Sequence, residues 1–524
     1  MGAVLVLKPA IDQIERRRLA LQQARDRARS KQQRNRLGQF ATPGALAREM
    51  LQYAHELFGS GPVRFLDPAI GTGSFYAALL HEWPVAEIDA AMGFEIDAHY
   101  GEPCRALWLG TPLRLRLEDF TAAAVPAEES ERFNLVICNP PYVRHHHLQP
   151  AAKARLQQRS RIAAAVRLSG LAGLYAHFIA VAHQWMSQDA LAGWLVPSEF
   201  MDVNYGRELK RYLLHTVTLL RIHRFDPTEV QFSDALVSSA FVWVRNRKPG
   251  NAHQIEFTYG GSLSKPRTRG LVPASRLENA AKWTGFPAAL SSARDVAAPT
   301  LADYFCVKRG IATGANAFFI MTPEQAAKRG IPPQCLRPIL PGPRQLDSDE
   351  VLADDSGDPQ LARALRLLDC RLPEERIRVE YPKLWRYLEG GRAELSRRYL
   401  CGRRVPWYLQ ESREPTFFLC TYMARRRHGG VQRFIFNRSR AIGANSYLML
   451  YPREALARFI GGDPARARRV WQILRDIATE VMIAGGRVYG GGLYKLEPGE
   501  LASIPAPGIT ALLPTSAAVR HADH

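Results

Sequence analysis

Between residues 36 and 245 the chain repeats one pattern: a short apolar run, a polar or glycine-containing turn at its end, then a stretch free of helix breakers. VRFLD at 63–67 leads into SFYAALLHEW, AAMGFEID ends on two acids, and ERFNLVICNPP carries Leu135, Val136 and Ile137 into a proline turn. GLYAHFIAVAHQWM from 173 predicts a helix, LAGWLVPSEF another strand end, residues 204–216 a charged helix, and TVTLLRIHRF and LVSSAFVWVR two further strands. Such alternation predicts an α/β domain, a mainly parallel sheet covered by helices. Ligands of such a sheet belong beyond the carboxyl ends of its strands.

The rest of the 524 residues divides around that domain. Residues 1–35 read as a basic N-terminal helix. Ile11, Ile14, Leu21 and Ala24 offer an apolar face, so the helix either lies along phosphate or caps the next domain. Residues 246–300, with GGSLSKPRTRG, read as a linker or insertion, 301–505 as a mixed α+β domain with a helix near 464–478, and 506–524 as a flexible tail. Lys and Arg number 70 against 50 acids, a net charge of +20, and a surface of that sign attracts a polyanion. Seven widely spaced cysteines contain no C-x-x-C pair, which argues against a zinc knuckle or a disulfide framework. The first residues match neither a signal peptide nor a membrane span, so the expectation is a cytoplasmic protein.

FLDPAIGTGSF sets Asp67, Gly71 and Gly73 directly after a strand and before a helix. Glycines permit a tight turn and close backbone approach to a ligand, and the helix start supplies donors. Glu95 ends the next strand, where a carboxylate can hold two ribose hydroxyls. The segment lacks both G-x-G-x-x-G and the Lys-Ser/Thr of a phosphate loop, which points to an adenosyl ligand without a triphosphate cradle. Asp119 suits an adenine amino group with Phe120 packed on the base, although a helix-capping role is open to the same Asp. Asn139-Pro140-Pro141-Tyr142 follows LVIC. Two prolines remove N–H donors and stiffen the chain. The Asn139 side-chain oxygen and the Pro140 carbonyl can then accept both protons of an exocyclic amine while Tyr142 stacks on its ring.

In this order the motifs resemble the adenine-specific DNA methyltransferases of bacterial type II restriction-modification systems, in the gamma arrangement: cofactor site first, NPPY second, target recognition last. The resemblance implies a Rossmann-like S-adenosylmethionine-dependent catalytic domain at 36–245 and a DNA-recognition domain at 301–505. Gly38-Gln39-Phe40-Ala41-Thr42-Pro43 is similar to the family segment that contacts methionine, with Thr42 the best contact. Asp67 through Gly73, including Ala69 and Gly71, is similar to the cofactor loop, Glu95 to the ribose acid, and Asp119 with Phe120 to the adenine site. Asn139, Pro140 and Tyr142 are implied around the target adenine, with Phe232 on the opposite face of the base, and Asn139 is implied to border the cofactor as well. Gln231 stands where the family more often has Val, which leaves core packing open for Phe232. The segment at 173–178 resembles a helix behind the cofactor. Arg309–Asn316 with Phe318-Phe319, and Gly490–Leu493 with Lys495 and Glu497-Pro498, resemble recognition regions. The order is similar to that of modification enzymes for short palindromes such as CTCGAG.

A stacked adenine cannot reach a cofactor, so base flipping is expected. Arg403-Arg404 and Arg425-Arg426-Arg427-His428 are candidate phosphate contacts or solvated loops, and Ala484–Tyr489 a close approach to DNA or a packed turn. The adjacent His145, His146 and His147 cannot converge on one ion, and no metal is expected. Cys138 reads as strand core rather than as the nucleophile of a cytosine C5 enzyme. The resemblance implies a monomer that protects host DNA alongside a separately encoded restriction endonuclease. Another nucleic-acid amino group as acceptor, or a DNA-binding protein with a degenerate methyltransferase fold, stays open.

Overall fold

A computed structural model describes residues 8–226, 238–287, 299–425, 432–489 and 493–513. The chain forms two compact units, residues 1–293 and 294–524.

The first unit is built on a nine-stranded sheet. In chain order its elements are α1 (Lys8–Arg27), α2 (Lys31–Leu37), α3 (Gly44–Phe58), β1 (Val63–Asp67), α4 (Ser74–Glu82), β2 (Ile88–Phe94), α5 (Ala98–Leu107), β3 (Leu113–Arg116), β4 (Phe133–Cys138), α6 (Pro150–Ala164), α7 (Leu174–Ala182), β5 (Met186–Pro197), α8 (Arg207–His215), β6 (Thr218–Arg224), β7 (Ser239–Arg245), β8 (Gln254–Gly261), β9 (Pro266–Pro273) and α9 (Ala274–Glu278). The strand order is β3-β2-β1-β4-β5-β7-β6-β8-β9. Strands β3 through β5 are mutually parallel, whereas β7 lies antiparallel between β5 and β6.

Helices cover both faces, and successive residues of one strand enter different cores because side chains alternate across a sheet. Phe65, Leu135 and Ile137 pack with α3 and α4 residues, whereas Leu66, Val136 and Cys138 pack with α7 and Trp194. Cys138 is thus buried core. The order of the parallel strands gathers the ends of β1, β2 and β4 at one edge, where Asp67, Glu95 and Asn139 follow them.

Two sequence readings change. Residues 246–300 contribute β8 and β9 to the sheet rather than a linker alone. The Gly-Ser-Pro density of that segment is the turn at 262–265 with the strand ends beside it; the flanks pair with each other, and β8 pairs with β6. The N-terminal helix breaks at Ser30, whose side chain caps α2 in a capping box with Gln33. On α1, Ile11 is buried but Ala24 is exposed, and the buried positions include the polar Glu15 and Arg18. Among the described residues no helix is long and apolar enough to cross a membrane.

The second unit centres on a five-stranded sheet in the order 305–309, 447–452, 418–421, 434–437 and 350–351. Its strands also alternate between two cores, Leu419 and Met449 on one side and Phe418, Cys420, Leu448 and Leu450 on the other. A helix, Pro464–Arg475, is capped by Asp463. It packs on the sheet through Trp471, whose ring stacks on Phe436 at 5.6 Å and whose Nε1 donates to the Phe434 carbonyl at 2.8 Å.

Candidate active site

Beyond the carboxyl ends of β1, β2 and β4 lies a cavity of about 260 Å³ within the first unit. Ala69, Gly71, Glu95, Asp119, Phe120 and Asn139 line it, joined by Phe94, Pro141 and Phe178. Thr42, Asp67, Gly73, Pro140 and Tyr142 lie outside its lining, and Phe232 lies outside the described residues.

The loop after β1 is held from several sides. Its Ile70 N–H donates to the Phe94 carbonyl at 2.9 Å, and Gly73 N–H to the Ile70 carbonyl at 2.8 Å. Gly73 has φ +92°, and a Cβ there would meet Trp108 Nε1 at 2.4 Å, so both backbone and space require glycine. Asp67, 1% exposed, accepts from Ala69 N–H at 3.1 Å beneath the loop. Burial pushes its carboxyl up to about 8.

Glu95 bridges two backbones: Oε2 accepts from Gly71 N–H at 3.2 Å and Oε1 from Asp97 N–H at 2.8 Å. Burial raises its pKa to about 7 despite those bonds. Asp119 is both a cap and a wall. Its Oδ1 accepts from Thr121 N–H at 2.9 Å and Oγ1 at 2.6 Å, and its Oδ2 from Arg155 at 2.7 Å. Burial alone would raise the Asp119 carboxyl, but the bonds from Thr121 and Arg155 bring it below the usual range. Phe120 is 1% exposed and packs edge-on against Phe94 at 5.2 Å and, tilted, on Phe178 at 5.5 Å.

Asn139 is oriented by its own donors. Nδ2 gives hydrogen bonds to the Phe40 carbonyl at 2.9 Å and to Thr42 Oγ1 at 3.2 Å, which fixes the amide. Its Oδ1 is buried and has no hydrogen-bond partner among the described residues. A buried acceptor left unpaired costs about 1–3 kcal/mol, and in a cavity wall it marks a place for an incoming donor. The Thr42 segment reaches Asn139 because Gly38, at φ +67°, allows contact with the turn: a Cβ there would lie 2.5 Å from Tyr142 N. Tyr142 itself is 8% exposed, donates through its hydroxyl to the Leu195 carbonyl at 3.1 Å, and packs on Phe40 at 5.7 Å. In this arrangement its ring is buried rather than open for stacking.

Sequence reading did not single out Gln22, Asp26, Tyr100, Arg155 and Leu156, which also line the cavity. Arg155 and Leu156 belong to α6, whose buried positions Leu156, Ser160, Ala163 and Ala164 keep helical spacing but are mostly small or polar and give only a weak apolar signal. His145–His147 form a 3-10 turn, and among the described residues no three His, Cys, Asp or Glu side chains are grouped to hold a metal ion.

In the second unit, several residues singled out for DNA are engaged internally. Arg404 donates to the Ala312 and Thr313 carbonyls at 2.6 and 2.9 Å, so it braces the 309–316 loop rather than standing free. Arg309 lies over the Tyr422 ring at 4.0 Å and Phe318 stacks on Tyr387 at 4.4 Å. Lys495 pairs with Glu497 at 2.7 Å. Arg403 and Arg425 are exposed, while 426–428 and 490–492 lie outside the described residues.

Comparison with known proteins decides the family. Over 494 residues the chain is 30% identical to the type II methyltransferase M.XamI of Xanthomonas campestris pv. amaranthicola, spanning 91% of this chain and 86% of that one. The chain belongs to the type II restriction-modification methyltransferases. Within that family it is also 24% identical to M.AccI of Acinetobacter calcoaceticus over 490 residues, 90% of this chain and 85% of that one. Residues 110–231 match the Eco57I restriction-modification methylase family, and 288–523 the C-terminal domain of type II methyltransferase M.Eco57I. The type IIL enzyme MmeI, solved in complex with DNA, shares the fold at a TM-score of 0.55 and 13% identity, over 87% of this chain and 63% of that one. Family membership implies S-adenosylmethionine as methyl donor.

Proposed function

We propose that this type II methyltransferase modifies the exocyclic amino nitrogen of adenine within a short site in duplex DNA. The observation that carries the reading is the buried, unpartnered Oδ1 of Asn139, with its amide locked by Phe40 and Thr42. An acceptor so placed suits one proton of an amino group, and the Pro140 carbonyl takes the second. Together they keep the amine from rotating and draw its lone pair toward the reacting carbon. The target adenine is flipped out of the duplex to reach them.

The cavity suits S-adenosylmethionine by the chemistry of its walls. Glu95 takes ribose hydroxyls, Asp119 the adenine amino group, Phe120, Phe94 and Pro141 the base, and Ala69 and Gly71 the methionine end, while Thr42 acts from behind the wall by holding the Asn139 amide. When bound, the cofactor supplies a methyl group already activated as a sulfonium. Asp67 acts from beneath, holding the Ala69 backbone. Residues 301–505 supply sequence recognition, with exposed Arg403 and Arg425 toward phosphate. The physiological role is protection of host DNA from a separately encoded endonuclease, by a cytoplasmic monomer that visits the two strands in turn.

The test is single-base mapping of tritium from methyl-labelled S-adenosylmethionine in a duplex library that includes CTCGAG, with Asn139→Ala in parallel. Label on adenine at one recurring sequence, lost in the variant, is the expected result. Label on cytosine or on RNA overturns the substrate assignment, and no label on any nucleic acid overturns the reading.

A further inference from the structure

Helix α1 lies outside every motif of the family resemblance, yet its inward face is a chain of polar contacts to the cofactor loop. Arg18, 1% exposed, takes both carboxylate oxygens of Glu15 at 2.6 and 2.7 Å and donates to Thr72 Oγ1 at 3.2 Å and Ser74 Oγ at 2.8 Å. Ser74 Oγ passes the chain on to the Thr42 carbonyl at 3.1 Å. One turn along α1, Gln22 Oε1 accepts from the Thr72 hydroxyl at 2.7 Å, and its Nε2 donates to Asp26 Oδ1 at 2.9 Å. The same Oδ1 accepts from Tyr100 OH at 2.9 Å. Beyond it, Arg29 grips Asp97, the residue whose N–H holds Glu95.

Gln22 and Asp26 therefore face the cavity with a fixed geometry, beside Gly71, Glu95 and Tyr100. Two donors occupy Asp26 Oδ1. Asp26 Oδ2 stands 4.0 Å from Arg34 Nη1, an ion-pair rather than a hydrogen-bond distance, and the residue lines the cavity.

We propose that α1 is a wall of the cofactor site, in which Asp26 accepts a hydrogen bond from a donor on the polar half of the cofactor, its α-ammonium or a ribose hydroxyl. Gln22 holds Asp26 in place, and Arg18 is a positioning residue that ties the loop at 71–74 to the same helix. The inference rests on reading the cavity as an S-adenosylmethionine site.

The test is calorimetric titration of the full chain and of Asp26→Asn with S-adenosylhomocysteine and with 5′-methylthioadenosine, which lacks the amino acid. The variant keeps an oxygen for Gln22 and Tyr100 but removes the charge. An affinity for S-adenosylhomocysteine about tenfold weaker, the size of one hydrogen bond to a charged group, is expected. If methylthioadenosine binds both proteins equally the donor is the ammonium, and if it weakens in parallel the donor is a ribose hydroxyl. Unchanged affinity for both ligands overturns the inference alone, whereas a wild-type chain that binds neither overturns the cofactor reading with it. A second measurement needs no variant: S-adenosylhomocysteine should slow amide exchange across residues 18–27 of the wild-type chain. Protection of 69–73 without any change in 18–27 overturns the proposal.

Discussion

Around the cavity of the first unit, polar groups hold hydrogen-bonding capacity in reserve, while in the second unit many of the arginines conspicuous in the sequence are tied to main-chain carbonyls. Asn139 keeps a bare Oδ1, and Glu95 and Asp67 are buried acids whose charge is poorly solvated. Arg404, by contrast, is taken up by Ala312 and Thr313, Arg433 by Pro343 and Asp349, and Arg413 by the Arg309 carbonyl. Arginine density in a sequence is therefore no map of a phosphate footprint. A long guanidinium with several donors is also an effective tie for loops whose carbonyls have no ladder partner.

The comparison breaks most sharply at Asn139. If its free oxygen is functional, Asn139→Ala lowers kcat by about 100- to 1000-fold, the usual cost of removing one preorganised polar contact to a reacting group. Affinity for S-adenosylhomocysteine should stay within about threefold, since one deleted contact outside the adenosyl half costs at most a fraction of a charged hydrogen bond. Equal losses in stability and turnover, read by thermal melting, would instead assign Asn139 to the fold.

In the second unit Arg404→Ala should cost about 1–3 kcal/mol of stability in urea unfolding, because the carbonyls of the 309–316 loop lose their donors. Its neighbour Arg403 is exposed over the Tyr399 ring at 4.3 Å and donates to no carbonyl among the described residues. Arg403→Ala should leave stability within about 0.5 kcal/mol, the usual range for surface substitutions. If Arg403 meets phosphate, the log–log salt slope of DNA binding falls by about 1. The reverse pattern in this pair would erase the contrast between the units.

Glu95 gives the comparison a pH axis. Its folded carboxyl stands at about 7, above the ordinary 4.5, through burial. A raised acid favours the unliganded fold while protonated, so this contribution is full below about 4.5 and is lost as pH rises through about 7. Relative to Glu95→Gln, the unliganded wild-type chain should lose thermal stability between pH 6 and 8. The ionised carboxylate is the better acceptor for ribose hydroxyls, so cofactor affinity should rise over the same interval by up to about tenfold. A flat profile for wild type, or the same slope in the variant, would remove Glu95 from the ribose. Asp67, at about 8, adds a loss of the same sign at higher pH.

How much of this was legible from residues alone follows the same division. Gly71, Gly73 and Glu95 stood out because glycines and a carboxylate at strand ends break an otherwise apolar pattern, and Asn139 because two prolines follow it; all four follow strand ends that gather at one sheet edge. The role of α1 was hidden because a buried Arg18 paired with Glu15 has the same sequence signature as a solvated i,i+3 surface pair. The direction of β7 was hidden as well, since an apolar run does not encode whether its neighbour is parallel. Strands β8 and β9 were obscured by the Gly-Ser-Pro turn that joins them. Arg404 misled for the converse reason: a basic dipeptide looks alike whether it faces phosphate or a loop carbonyl.

The smallest expected effect lies at Arg155, where the two kinds of arginine meet in one site. It lines the cavity, as a functional residue would, yet its contact is an ion pair to Asp119 Oδ2 at 2.7 Å with nearly half of its side chain exposed. Its neighbour on α6, Arg159, ties the Thr121 and Ala123 carbonyls at 3.2 and 2.8 Å and holds the 119–123 turn without it. Exposed pairs are worth about 0.2–1 kcal/mol, so Arg155→Met should change cofactor affinity by about fivefold at most. The direction discriminates. If Arg155 only orients the carboxylate, affinity falls and the loss shrinks at high salt. If it competes with the cofactor's adenine amino group for Oδ2, affinity rises in the variant, and Asp119→Asn then abolishes the gain.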